Sequence, residues 1–325
     1  MFGVPSNKLI QVQTVSPQPA LPSLAKTRPK PWTSFALGVS ALVLGFAVPL
    51  WELARFAVGS NLYSYILLIP LISLFLVWRK RGCLALAAPI RRGAGALFFM
   101  AGGALLAVYW LGLRPRARLL EDDYLPLMIT GFLLLFLGLC AWFWGGAVLR
   151  SLTFPLAFLF FMVPMPAAAL LQVDAFLQQG SAAAAEMFFR LSGMPFLREG
   201  LIFQLPGIAL QIAPECSGIH STLVLLITSF LAGYLQLSTG WKRAVLVLAV
   251  IPLALLRNGF RVYVLGELCV HVSPRIIDSP LHHQGGPIFF VLSLIPLFVL
   301  LMVLQRSETR EARLNHAKQS ENDPA

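Results

Sequence analysis

The stretch Ala213-Pro-Glu-Cys-Ser-Gly-Ile-His-Ser221 is a short polar segment that opens straight into the apolar run 222–237. Its one strong nucleophile is the thiol of Cys216, at the mouth of a hydrophobic helix rather than inside it. Whether that helix is a soluble core element or a membrane span decides the fold, and the rest of the chain answers. Of 325 residues, 58% are hydrophobic and 12% charged. The apolar residues gather into runs of about 17–22, the length that a helix needs to cross a hydrocarbon layer roughly 30 Å thick. The chain reads as an all-α polytopic integral membrane protein. Its net charge of +11 comes from Lys and Arg held in short segments between apolar runs. That is the pattern of membrane orientation, not of a nucleic-acid surface.

Working outward, about eight transmembrane helices are expected, at 32–51, 62–78, 93–113, 124–144, 152–171, 216–237, 244–268 and 287–304. Pro155, Pro164 and Pro166 imply kinks or a broken outer end in the fifth. Residues 1–31 carry Lys8, Lys26, Arg28 and Lys30 among Pro, Ser and Gln, so they read as a disordered basic tail. They are not a cleavable signal, because the apolar run that follows is long and lacks a small-residue cleavage site. Residues 32–304 form the transmembrane domain and 305–325 a charged tail.

Arg79-Lys80-Arg81 and Arg91-Arg92, between the second and third spans, place that loop and the N-terminal tail in the cytoplasm. The loop 114–123, with three arginines offset by Glu121, Asp122 and Asp123, departs from the rule. Eight spans return the C-terminus to the cytoplasm, in agreement with Lys242, Arg243, Arg306, Arg310, Arg313 and Lys318. The outer face then receives Cys216, Arg261 and the pair His282-His283.

Before the sixth helix, 172–212 is too polar to span. Val173, Phe176, Leu177, Ala184, Met187, Phe188 and Leu191 recur at helical spacing and predict an amphipathic helix on the extracytoplasmic membrane surface. Residues 201–212, with a Pro206-Gly207 turn, predict a small hairpin leading to Cys216.

A thiol at a helix N-terminus meets the positive end of the dipole, which favours the reactive thiolate, although Glu215 opposes it. Cys83, Cys140, Cys216 and Cys269 show no CxxC pairing or regular spacing, so neither a disulfide framework nor a thiolate metal site is indicated. Arg257 and Arg261, four apart with Asn258 between them, share one face of the seventh helix, and arginine in an apolar span is costly unless it faces the bundle or serves function. His220 stands four residues after Cys216, hence on the same helix face, and is the nearest general base in sequence. His271, His282 and His283 fall at or near the outer side, the last two in a Gly-rich loop. The bland alternatives are a filler cysteine, arginines that snorkel to headgroups, and loop histidines. No HxxxH or HExxH spacing supports a metal, and no cofactor is implied.

Several ordered blocks together resemble the exosortase/archaeosortase family of membrane-embedded cysteine transpeptidases. Tyr63-Ser-Tyr-Ile-Leu-Leu-Ile-Pro70 and Val77-Trp-Arg-Lys-Arg81 are similar to its early block. Phe154-Pro155, Val163-Pro-Met-Pro166, Arg198-Glu-Gly200 and Leu205-Pro-Gly207 are similar to its middle. Glu215-Cys-Ser-Gly-Ile219 with Ser221 resembles the nucleophile motif, Asn258-Gly-Phe-Arg261 its N-x-x-R, and His282-His-Gln-Gly-Gly286 its H-x-x-x-G. The chain departs in having Ser64-Tyr65-Ile66 where the family usually reads Ser-His-Gly, and His220 where it usually has Arg. His283 beside His282 leaves two histidines for one role.

The resemblance implies Cys216 as nucleophile, Arg261 as the essential arginine and His282 as the catalytic histidine, with His220, Arg257, Asn258 and His283 as supporting candidates. It implies cleavage of a C-terminal sorting signal of the Pro-Glu-Pro type on exported proteins at the outer face of the inner membrane. Transfer to a lipid or surface acceptor and a link to exopolysaccharide production are implied with it. The competing reading is a non-catalytic transporter or exopolysaccharide-export component whose arginines and histidines line a pathway. A scaffold that only anchors export machinery is a third.

Overall fold

The computed structural model describes residues 31–81, 93–113, 123–213, 217–273 and 286–322. Cys83, Arg91, Arg92, Glu215, Cys216, His282, His283, the basic tail before residue 31 and the loop 114–122 lie outside them. Helices α1 (Pro31–Gly45) and α2 (Ala47–Gly59) meet at 67°. A 3-10 turn, Ser64–Leu68, runs into α3 (Ile69–Lys80), and α4 (Gly93–Ala107) precedes the long α5 (Tyr124–Ser151). The short α6 (Thr153–Phe158) and α7 (Ala167–Ser192) follow, then strands β1 (Leu197–Glu199), β2 (Ile202–Leu205) and β3 (Ile208–Gln211). The chain closes with α8 (Ile219–Gln236), α9 (Gly240–Leu248), α10 (Val250–His271) and α11 (Gly286–Asn322).

Among the described residues, five helices are long and apolar enough to cross a membrane, or up to seven if each of two bent pairs is one span. The all-α polytopic architecture stands on these, while the number eight does not follow from helix length. The segment expected at 62–78 is divided between the 3-10 turn and α3, a helix of twelve residues. The segment expected at 152–171 is broken between Thr153–Met162 and Ala167–Ser192, which meet at 91°. Pro164 and Pro166 supply the physical cause, since each removes a backbone donor and its ring collides with the preceding turn. The charged segment from Gln305 is helical as far as Asn322, as the continuation of α11.

Helices α4 and α5 form an antiparallel pair built on small residues. A Cβ added at Gly95 would meet the Trp142 backbone at 3.0 Å, and one at Gly138 would meet the Phe99 ring at 2.9 Å. Lipid tails are as apolar as leucine, so close backbone approach is what holds helices together in a membrane.

The α7–α10 pair uses the same device in parallel orientation. Gly180 sits under Leu255, Gly259 against Ala184 and Ala185, and Gly266 against Phe189 and Leu205, so both chains advance together. The apolar positions expected on one membrane-facing stripe of α7 therefore divide between two faces. Leu177 and Ala184 are buried, while Phe176, Met187 and Leu191 remain exposed.

The expected hairpin is the second half of a three-stranded antiparallel meander, β1-β2-β3. Phe203 pairs with Leu210 across β2 and β3, and period-two alternation turns Phe203, Leu205 and Leu210 inward. They close a core with Ala182, Ala185, Phe189, Met194, Ile212 and Val262, which caps the α7–α10 pair.

The opposite end of the bundle is basic. Lys80 at the end of α3 donates to the Ser151 carbonyl at the end of α5, and Arg243 on α9 donates to the Leu237 carbonyl after α8. Fully buried Lys242 donates to Ser307 and pairs with Glu311 at 2.9 Å, and Glu308 accepts from the backbone amides of Ser238 and Thr239. The eighteen residues of α8 separate this end from the residue 217–218 turn, about 27 Å along the axis. The cations around 80 and around 242 thus share one end, as the orientation argument requires of them.

Gly259→Val tests the parallel pair. A Cβ there would lie 2.5 Å from that of Ala184 and 2.8 Å from the Ala185 amide, so overpacking costs about 1–3 kcal/mol. The expected outcome is a lower apparent melting temperature of the detergent-solubilised protein, whereas Gly103→Val, which meets nothing within 4 Å, leaves it unchanged.

Candidate active site

Of the residues singled out from the sequence, the structure brings together Arg257, Asn258 and the chain immediately after Cys216. Helix α8 begins at Ile219, preceded by Gly218 at φ 76°, ψ 17°. This left-handed conformation costs an L-residue roughly 1–2 kcal/mol. It is also crowded, since a Cβ at Gly218 would stand 2.8 Å from Arg257 Nη2 and 3.1 Å from Asn258 Oδ1. Glycine is therefore required twice over, by backbone angle and by space.

The Gly218 carbonyl accepts from the Thr222 amide at 3.0 Å, the Thr222 hydroxyl at 2.8 Å and Arg257 Nη2 at 3.2 Å. Asn258 Nδ2 donates to the Ser217 carbonyl at 3.2 Å and to Ser181 Oγ on α7 at 3.0 Å. Ser181, Ser217 and Asn258 are almost wholly enclosed, at 0%, 1% and 2% exposure, and Arg257 is 7% exposed. One asparagine thus ties α7, α10 and the turn before α8 into a single node. Inside the bundle such a node is rigid, because a buried polar group set loose would have no water to replace the partner it lost.

Arg261 lies one turn beyond Arg257 on α10, farther from the basic end, and is half-buried. His220 is exposed. His220 lies in the first turn of α8, which starts at Ile219 after the left-handed Gly218, and its expected relation to Cys216 lies outside the described residues. His271 is exposed at the end of α10, where it meets Glu267. Cys216, His282 and His283 lie outside the described residues. Cys140 and Cys269 are buried. Among the described residues no group of three or more His, Cys, Asp or Glu could hold a metal ion.

Sequence reasoning missed Ser181 and Thr222. Ser181 stands in the small-residue run Gly180-Ser-Ala-Ala-Ala-Ala185, whose lack of bulk marks close helix contact. A hydroxyl within such a run is the signal that could have drawn attention to it.

The node fixes the residues next to Cys216 at the N-terminal end of a long helix, where free amides and the dipole favour negative charge. Chemically, such a place suits an anion or a developing oxyanion. Among known proteins, a family model described as transmembrane exosortase matches residues 51–299, a range that contains the whole node. Searches of curated proteins and of solved structures found no match.

A double-mutant cycle tests the node. Asn258→Leu strands the Ser217 carbonyl and the Ser181 hydroxyl, at about 1–3 kcal/mol for each buried group left unpaired. Ser181→Ala removes one of those partners beforehand, so the two substitutions together cost less than their sum, by about 0.5–3 kcal/mol. Denaturation midpoints of the four proteins in detergent give the coupling directly.

Proposed function

The chain belongs to the transmembrane exosortase family, and from that membership we propose that it is a membrane-embedded cysteine transpeptidase acting on exported proteins. The Cys216 thiolate attacks the scissile carbonyl within a C-terminal sorting signal of the Pro-Glu-Pro type. The tetrahedral intermediate collapses to a thioester as the peptide C–N bond breaks, and the departing amine takes its proton from His282. An acceptor nucleophile, an amine on a lipid or surface component, then attacks the thioester and gives its proton to His282. Cys216 is regenerated and the product is released. Arg261 stabilises the thiolate or the oxyanion, since a fixed cation in a low-dielectric site acts more strongly than in water.

The observation that carries this reading is the pair of buried contacts from Asn258 and Arg257 to the backbone of Ser217 and Gly218. A nucleophile works best when the chain beside it does not move, and few reasons exist to immobilise a loop at such cost. In this reading Arg257 and Asn258 are positioning residues, and His220 and His283 are supporting candidates. The active site faces the extracytoplasmic side of the inner membrane, both termini face the cytoplasm, and exopolysaccharide production is the associated process.

Replacement of Cys216 provides the test. In cells that co-express an exported protein with such a signal, Cys216→Ala and Cys216→Ser abolish processing while chain levels in the membrane stay normal. Arg261→Lys keeps the charge but loses the planar fork, and lowers processing by about 10²-fold or more. Undiminished processing by Cys216→Ala would sink the proposal and leave a transporter or an export scaffold.

A further inference from the structure

We propose that Lys80, Arg243 and Tyr234 form a binding site for the phosphodiester headgroup of an anionic phospholipid at the basic end of the bundle. The site is independent of the chemistry assigned to Cys216 and lies at the far end of α8. Tyr234, in the last turn of α8, is stacked face to face on Phe154 of α6, with centroids 3.7 Å apart and planes 2° from parallel. Around that one ring stand two cations, Lys80 Nζ 5.4 Å and Arg243 Cζ 5.6 Å from its centroid. Both side chains are half-buried.

Neither cation pairs with a carboxylate among the described residues. The acidic groups nearest in the fold are already engaged, Glu308 with Ser238 and Thr239, and Glu311 with Lys242. Lys80 donates instead to the Ser151 carbonyl and Arg243 to that of Leu237, the C-terminal ends of α5 and α8. A helix C-terminus carries about half a negative charge. Two unit cations set against two such ends leave about one positive charge, in a place where an uncompensated cation is costly.

A single monoanion balances that excess, and a phosphodiester is a monoanion. Lys80 has three donors and spends one on Ser151. The Tyr234 hydroxyl is buried and has no hydrogen-bond partner among the described residues, so a donor is already in place for a phosphate oxygen. Basic pockets between transmembrane helices are a recurrent way of holding acidic headgroups. A glycerol headgroup fits better than a choline headgroup, whose own ammonium would be added to two cations already present.

The experiment uses the full chain in detergent, with its melting temperature read after adding phosphatidylglycerol, phosphatidylcholine or inorganic phosphate. The expected result is a rise of several degrees with phosphatidylglycerol alone. Tyr234→Phe keeps the ring and both cation contacts and removes only the hydroxyl, and Lys80→Gln keeps a donor for Ser151 without the charge. Each should reduce the shift by half or more, while Arg313→Gln, on the exposed continuation of α11, leaves it intact. Equal stabilisation by phosphatidylcholine or by phosphate alone would overturn the lipid assignment. So would a full shift retained in both Tyr234→Phe and Lys80→Gln.

Discussion

The amide of Asn258 is the contact on which the arrangement depends. It donates at once to a hydroxyl on α7 and to a backbone carbonyl before α8, and α10 carries it. Three segments far apart in sequence are held at one point, and buried polar groups at that point have no water to fall back on. Around it the apolar packing is permissive. Small residues let α7 and α10 approach, and the three-stranded sheet closes over them, but neither of these fixes the turn at Ser217 and Gly218.

The two ends of the bundle use charge in different ways. At one end, Arg257 is enclosed and serves a carbonyl, so its charge acts on a single turn of backbone. At the other, Lys242, Glu308 and Glu311 join α9 to the continuation of α11, and Lys80 and Arg243 cover the ends of α5 and α8. Helix α8 links the two ends directly, with its first residue beside the node and its last turn stacked on Phe154. A displacement at either end is therefore felt along one continuous helix.

Much of this was legible in the sequence. The apolar runs announced a polytopic membrane protein, Pro164 and Pro166 announced the break, and Pro206-Gly207 announced the hairpin. The arginines of α10 stood out because charge in an apolar span needs a reason. What could not be read was which partners those groups find. Arg257 and Arg261 look equivalent at four-residue spacing, yet only the tertiary packing puts the first of them on Gly218. The start of α8 at Ile219 could not be read either, because it is set by a left-handed glycine at 218 that no periodicity marks. Ser181 was hidden because a hydroxyl among alanines has no periodic signature. The third strand, β1, escaped notice because Leu197-Arg-Glu199 is too short to show alternation.

The contact between Gly259 and Ala184 has a consequence for descent as well as for stability. Where two backbones touch with only a methyl group between them, volume at one position is taken from the other. Glycine at 184 would remove only that methyl, because a Cβ at 259 also meets the Ala185 amide at 2.8 Å, so position 259 has no room for a side chain whatever stands at 184. Among diverged relatives position 259 should therefore stay glycine, while 184 is held to the smallest side chains.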